Sequence, residues 1–568
     1  MERSEDFGSR GTNWLTFPGG GIVVGGAVMV PRKPSLRSTL EGLVCVAILG
    51  SPAAAETRYH QHCAKAKGSD GQVKAIAATY FGGPSAEELV AVGWAQDGGV
   101  LVVGNAWGPE FVAEPSATVI GEDRYTTAEA VADEAKGRLN YDNPNTAGFV
   151  VRFSPGLRRV ASLTRFGWGN ATANKALFGR GGAIYLSGKC TAAFAEYAQQ
   201  EELIRHTVSP PEGAKASGGN LHLSRLAADG KRLEWALVFE QAEGWSSQWE
   251  GRQGDKHHPG LRVAERSDGS LVFVAYDRLH VLTPDGKGLK QLSETRGGVL
   301  LATAAEDDSV YLGSDVNTNT GREPWRQPFL TKYDREGKVL WEAWRWDSKT
   351  VGADKYRLVS DSGIWGTVRG PDDRRLVWGW SDGGNSVFLR QPFSLDDSPN
   401  SKGSFIDSLW GANVGKFSWL MQLDEEEREV TQVANWCSFL TTRNKPNSSM
   451  IHNATVLADG RVAFVGSSSF ALVESPDAWV RAFPEGAGGA YFALLSADLR
   501  DLLFSSTLPA ASGPMALAQA GTQLVVGGKA RPADPERGPV LVNAIQGACA
   551  GPMDGYILLI ETKSKVDE

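Results

Sequence analysis

Glu88–Ala106 reads ELVAVGWAQDGGVLVVGNA. Two runs of small and branched apolar residues flank the segment AQDGG. An Asp-Gly pair between apolar runs favours a tight turn that needs a positive φ at glycine. Near-continuous apolarity, rather than clean alternation, is expected of strands covered on both faces. The segment therefore predicts a buried β-hairpin.

The same unit recurs along the 568-residue chain. It returns as ANKALFGRGGAIYLSGKC from Ala173, GLRVAERSDGSLVFVAY from Gly260 and GVLLATAAEDDSVYLGSD from Gly298. It returns again as SGIWGTVRGPDDRRLVWGW from Ser362, ATVLADGRVAFVGSSS from Ala454 and MALAQAGTQLVVGGKA from Met515. Repetition at this scale is the signature of a repeat architecture. A second hairpin with cleaner alternation follows most copies, for example LHLSRLAADGKRLEWALVF from Leu221 and FLTKYDREGKVLWEAW from Phe329. Alternation fits outer strands with one solvated side. Two hairpins make a four-stranded antiparallel sheet, so the chain is expected to be an all-β, seven-bladed propeller over residues 72–568.

The seventh inner hairpin is followed by one more strand, DGYILLIETK from Asp554, with no partner after it. An orphan strand, QVKAIAATYFGG (Gln72–Gly83), precedes the first hairpin. The two are expected to share the closing blade, which locks the ring and removes sheet edges. Cys63 and Cys549 flank these segments, and a disulfide between them is expected. Cys190 and Cys437 are expected to be free and partly buried. No CxxC or CxxCH spacing occurs, which excludes zinc-ribbon and c-type haem readings.

Lys and Arg number 58 against 66 Asp and Glu, a formal charge of −8. No basic stripe occurs, which argues against a nucleic-acid partner. The basic stretch from Met29, the short apolar run from Leu40 and the small residues ending at Ala55 predict a leader and signal peptide over 1–55. The apolar run is too short to span a bilayer. A short linker is expected over 56–71, and the protein is expected to be secreted, periplasmic or at the cell surface. A monomer is expected.

TYFGG (Thr79–Gly83) ahead of the first hairpin, with the tail NAIQGACAGPMDGYILLIE (Asn543–Glu561), resembles the bacterial SBBP-type β-propeller repeat proteins. The likeness is good in the first and last blades and degenerate between them. It implies a secreted propeller and carries over no catalytic residues. GKVLWEAW from Gly337 resembles a quinoprotein-type repeat over one strand and its turn, which reflects shared blade geometry.

Within each blade, the first-to-second and third-to-fourth turns share one face, and all are short. The longer segments, such as 105–147, 189–220, 240–259 and 381–415, fall on the opposite face. Insertions gathered on one face of a repeat protein mark a binding face. Trp107, Trp168, Trp245, Trp249 and Trp325 map to that face or its edges. Each is a candidate ligand contact, or else apolar filling for its own loop. His258 and His452 precede inner strands and are placed at the channel mouth. Asp315, Asn317 and Asn319 alternate as calcium ligands do, without the EF-hand glycine and glutamate positions, so calcium is one possible cofactor.

No nucleophile elbow, phosphate loop or HExxH motif occurs. The sequence thus predicts an exported, non-catalytic propeller that binds a protein or a polysaccharide through its long-loop face. The alternative is a secreted carbohydrate-active lyase or hydrolase with its site at the channel mouth. A cell-surface scaffold needing only the ring is a third possibility.

Overall fold

The computed structural model describes residues 59–62, 66–108, 117–124, 145–212, 216–242, 260–295, 300–303, 306–318, 325–347, 361–382, 390–396, 416–426, 428–436, 438–440, 445–447, 449–469, 472–480, 489–508, 511–532 and 540–563. The expected leader over 1–55 lies outside them.

Seven antiparallel sheets form the ring, each built on one of the predicted inner hairpins. From the inside outward, blade 1 runs Glu87–Trp94, Val100–Ala106, Ala147–Phe153, Val160–Phe166. Blade 2 runs Lys175–Phe178, Ile184–Cys190, Ala216–Leu226, Leu233–Ala242. Blade 3 runs Val263–Glu265, Leu271–Ala275, Arg278–Leu282, Leu289–Glu294. Blade 4 runs Leu300–Thr303, Val310–Asn317, Arg326–Tyr333, Val339–Ala343. Blade 5 runs Ser362–Arg369, Arg375–Asp382, Lys416–Asp424, Glu429–Trp436. Blade 6 runs Ser449–Val456, Val462–Ser468, Gly489–Leu495, Leu502–Leu508. Blade 7 runs Ala511–Ala520, Gln523–Ala530, Asp554–Thr562 and, outermost, the N-terminal strand Val73–Phe81. Each inner strand touches the inner strands of both neighbouring blades, so the ring is closed.

The turns explain why these residues fold so. Gly98 and Gly460, in the DG turns of blades 1 and 6, have φ of 77° and 83°. An L side chain rarely adopts that region. The second strand of blade 1, Val100–Ala106, is buried at every position, as its unbroken apolar run predicts. Large aromatics fill the gaps between blades. Trp436 of blade 5 packs edge-on against Phe464 of blade 6, with ring centroids 5.2 Å apart.

Closure follows the expected scheme. Val73–Phe81 pairs antiparallel with Asp554–Thr562, with Tyr80 opposite Tyr556. The segments Thr79–Gly83 and Asn543–Glu561 meet there in a buried polar network. Gly82 N–H donates to Gln546 Oε1 (3.1 Å), and Gly83 N–H donates to Glu87 Oε2 (3.1 Å). The Asp554 carboxylate accepts from Gln546 Nε2 (2.6 Å), Ala550 N (2.9 Å) and Gly551 N (3.1 Å). A Cβ at position 82 would lie 2.7 Å from Asp554 Cγ, so glycine is the residue that fits.

Two features differ from expectation. The stretch 56–71, expected to be linker, contains a strand. Tyr59–His62 runs parallel to the outer strand of blade 5, with His62 opposite Trp436. Thr118–Ile120 and Ile204–Val208 cap blades 1 and 2 in the same parallel manner. An outer strand leaves a row of unpaired backbone groups, and each added strand covers one such row. Between blades 5 and 7 the chain lies along blade 6, where Lys67 N–H donates to Leu502 O (2.9 Å) and Ser69 N–H to Asp477 Oδ2 (2.9 Å).

The expected Cys63–Cys549 disulfide is also corrected. Cys549 is a free thiol, donating to Ala530 O over 3.8 Å. Burial pushes that thiol up to about 12, with Asp554 adding to the effect. Cys63 lies outside the described residues, but the strand immediately before it sits on blade 5, two blades from Cys549. Cys190 is free, as expected, but buried rather than partly buried, and Cys437 lies outside the described residues.

Candidate functional site

Short turns occupy one face and the longest connections the other, though several connections on that second face are short as well. Blade 3 joins its second and third strands by the two residues Tyr276 and Asp277, with φ of 51° and 56°. The ring encloses a cavity of about 580 Å³, bordered by inner strands of blades 1, 2, 3, 6 and 7. Its walls are mainly apolar, with Val90, Val92, Leu177, Val263, Ala516 and Ala518 among them. Phe178 narrows it toward the short-turn face. That ring lies across Gly93, where a Cβ would stand 2.6 Å from Phe178 Cγ.

The long-loop mouth is charged. Glu88 lines it, 1% exposed, with Lys529 Nζ at 3.4 Å. Lys175 and Arg262 line it from the adjacent blades 2 and 3. His452 lines it from blade 6, within the inner strand rather than ahead of it. Its Nδ1 accepts from Met515 N–H (3.1 Å), and its Nε2 meets Ser467 Oγ (3.2 Å). Those bonds orient the imidazole as a bridge between blades 6 and 7. His258 lies outside the described residues.

Among the candidate tryptophans, Trp325 alone is presented to solvent in the described residues. It is 50% exposed at the start of blade 4's third strand. Its backbone is pinned, because Trp325 N–H and Arg326 N–H both donate to Asp361 Oδ1 of blade 5 (2.8 and 3.0 Å). Trp325 O also accepts from Thr318 N–H (3.0 Å). Trp107 and Trp168 are corrected to core residues, 2% and 1% exposed. Trp107 packs on Ala86 and Met553 at the ring closure, and Trp168 belongs to the core of blade 1. Arg165 also covers the Trp168 ring, 4.8 Å from its centroid. Trp245 and Trp249 lie outside the described residues.

The calcium reading loses its loop. Asp315 and Asn317 end an extended strand, opposite Pro328 and Arg326. Asp315 is buried, and Arg326 Nε stands 4.0 Å from its Oδ2. Asn319 lies outside the described residues. Among the described residues no cluster of three or more His, Cys, Asp or Glu side chains could hold a metal ion.

One charged constellation was not anticipated. A cleft of about 510 Å³ between blades 4 and 5, on the short-turn face, gathers Tyr311, Lys332, Arg375 and Glu425. The Arg375 guanidinium lies 3.5 Å above the Tyr311 ring centroid, and Arg375 Nε donates to Glu425 Oε1 (2.5 Å). Tyr311 O–H reaches both Glu425 oxygens (2.8 and 2.7 Å), and Lys332 Nζ donates to Oε2 (3.0 Å). Burial alone would raise the Glu425 pKa, but the Arg375 charge and these hydrogen bonds hold it below the ordinary value. Burial opposes charge on Lys332 too, yet the Glu425 and Tyr311 contacts hold its pKa above normal. The groups satisfy one another, so the cluster acts as a clamp between blades. The turns EDD, PDDRR and DEEE carried the signal, but each in isolation reads as an ordinary solvated turn.

No family model matches the chain, and no curated protein matches it. Solved structures similar to it include a protein of unknown function from Dyadobacter fermentans, at 11% identity and a TM-score of 0.40, covering 87% of this chain and 100% of that one. The β-propeller domain of the Trilobed protease from Pyrococcus furiosus is 10% identical, with a TM-score of 0.34, covering 82% and 92%. A polysaccharide lyase, the PL25 ulvan lyase, is 9% identical with a TM-score of 0.37, covering 87% and 98%. Likeness at this identity concerns the fold alone.

Proposed function

We propose that this chain is an exported, non-catalytic propeller of the SBBP-repeat kind that binds a polysaccharide through its long-loop face. The observation that carries the reading is Trp325, a half-exposed indole on a backbone pinned by Asp361. A flat ring held still contributes contact area at little ordering cost and stacks on the apolar face of a sugar. Arg326 and the exposed Asn317 stand opposite each other beside it and supply hydrogen-bonding groups. Long connections gathered around this face add further support.

A catalytic reading needs a poised acid or base. At the channel mouth, Glu88 is engaged by Lys529, and His452 is engaged by Met515 N–H and Ser467. Those engagements favour binding over turnover.

The test is a glycan array with the mature chain, residues 56–568, beside a pull-down from the native secreted fraction. A glycan hit that Trp325→Ala abolishes supports the proposal. Capture of a protein with no glycan hit replaces polysaccharide by a protein partner. Shortening of a bound glycan replaces binding by catalysis, and no ligand in either assay overturns the reading.

A further inference from the structure

We infer, resting on the polysaccharide reading, that Asp361 contacts the sugar directly and selects neutral glycans over anionic ones at the Trp325 platform. The Asp361 carboxylate is held at one end and open at the other. Its Oδ1 accepts from Trp325 N–H (2.8 Å) and Arg326 N–H (3.0 Å), across the boundary between blades 4 and 5. Its backbone is held as well, because Asp361 O accepts from Asp382 N–H (2.8 Å) at the open end of the blade 5 hairpin. Among the described residues none donates to Oδ2. The side chain is only partly buried, so this second oxygen meets solvent.

A carboxylate accepts hydrogen bonds and donates none, with two lone pairs on each oxygen. Those on Oδ1 are taken by the two backbone donors, which leaves Oδ2 for donors from outside. Sugar hydroxyls are such donors, and neighbouring hydroxyls of one ring present two of them together. Trp325, half-exposed on the segment that Asp361 pins, offers the apolar counterpart. A sugar stacked on the indole, with rim hydroxyls donating to Oδ2, satisfies both its C–H face and its O–H edge. Little ordering remains to be done, because the same two bonds fix the carboxylate and the backbone that carries the indole. The same oxygen disfavours anions, since a uronate or sulfate sets like charge against it. Arg326 offsets this only in part, because its charge is shared with buried Asp315, whose Oδ2 stands 4.0 Å from Nε.

The test is a glycan array probed with the full chain and with Asp361→Asn. Beside a broad set of neutral and anionic glycans, the array carries paired hexasaccharides that differ only at the sixth carbon, hydroxymethyl against carboxylate. The pairs are mannohexaose with hexamannuronate, cellohexaose with its hexaglucuronate, and galactohexaose with hexagalacturonate. The parent should bind neutral glycans, and any anionic counterpart at least about tenfold more weakly. Asparagine keeps an oxygen for the Trp325 and Arg326 N–H groups and puts an NH₂ donor where Oδ2 stood. Melting of Asp361→Asn should therefore match the parent. Its affinity for a neutral glycan should nonetheless fall by about tenfold or more, and its preference for neutral over anionic members should narrow. A purely structural Asp361 would move neither quantity. An Asp361→Asn chain that keeps the parent's neutral affinity or its preference overturns the inference, as does a parent that binds anionic glycans equally or better; in each case polysaccharide binding itself stands. Absence of any glycan binding overturns both. If the variant melts lower, the neutral-to-anionic ratio of the parent still decides.

Discussion

Tyr80 faces Tyr556 across the closing blade, their rings 6.0 Å apart and edge to face, so the two ends of the chain are joined through one pair of strands. The N-terminal strand buries Val73, Ala77, Ala78, Tyr80 and Phe81, which makes it part of the core rather than an appendage. A chain beginning at Pro84 leaves the outer edge of blade 7 open and removes that packing. It should melt on the order of 10 °C lower and aggregate through the exposed edge. Calorimetry and light scattering check this; unchanged melting of a monodisperse sample would show that closure does not depend on the strand.

The clamp between blades 4 and 5 predicts an asymmetric mutational response. Arg375 is 1% exposed, so Arg375→Met leaves Glu425 with less compensation in a buried place. Removing one partner of a buried ion pair costs roughly 3–5 kcal/mol. The Glu425 pKa is lower in the folded chain than in the unfolded one. Its stabilisation is therefore complete above the ordinary carboxylate value and is lost as pH falls through the depressed folded value. Glu425→Gln should be less stable at pH 7 and should lose this component of the acid transition. Urea unfolding at neutral and acid pH measures both effects, and an unchanged midpoint at pH 7 would rule out the clamp.

His222 gives a second pH dependence in a different window. It is fully buried in blade 2, with Nε2 2.7 Å from Thr172 O and Nδ1 2.8 Å from Ser224 Oγ. The carbonyl can only accept, which places the proton on Nε2 and leaves Nδ1 as acceptor for the hydroxyl. Burial pushes the imidazole down to about 4 from its ordinary 6.5. The folded state favours the neutral ring, so this stability is present above 6.5 and is lost as pH falls toward 4, roughly 3 kcal/mol in all. His222→Gln should lack that slope. Urea midpoints of parent and variant across this range test it; parallel curves would contradict the assignment.

The repeat itself was legible because its signals are local. A tight Gly/Asp turn between apolar runs favours a hairpin, and seven such hairpins leave one simple closure. The strands that cap blades 1, 2 and 5 were not legible. Thr118–Ile120, Ile204–Val208 and Tyr59–His62 are short and parallel, with no adjoining turn to announce them. The clamp was hidden for a related reason. Tyr311, Lys332, Arg375 and Glu425 come from four strand ends and turns of two blades, and only the ring brings them together. Loop position also proved a poor guide to exposure, since burial depends on what a loop folds against.

Trp168 and Trp325 make that last point testable, because the sequence places both on the long-loop side. Trp168 is 1% exposed, packs in the core of blade 1, and has its ring covered by Arg165. Trp168→Ala should therefore cost roughly 3–5 kcal/mol, the usual loss for a buried large aromatic. Trp325 rests on solvent across half its surface, and its hydrogen bonds run through the backbone, which alanine retains. Trp325→Ala should thus shift stability by no more than about 0.5 kcal/mol. Under the proposed function it should nonetheless abolish ligand capture, whereas a folded Trp168 variant should still bind. Urea unfolding of both variants beside the glycan array separates the roles. A strongly destabilised Trp325→Ala would mean the indole packs as structure, and the case for a sugar platform at that position would fail.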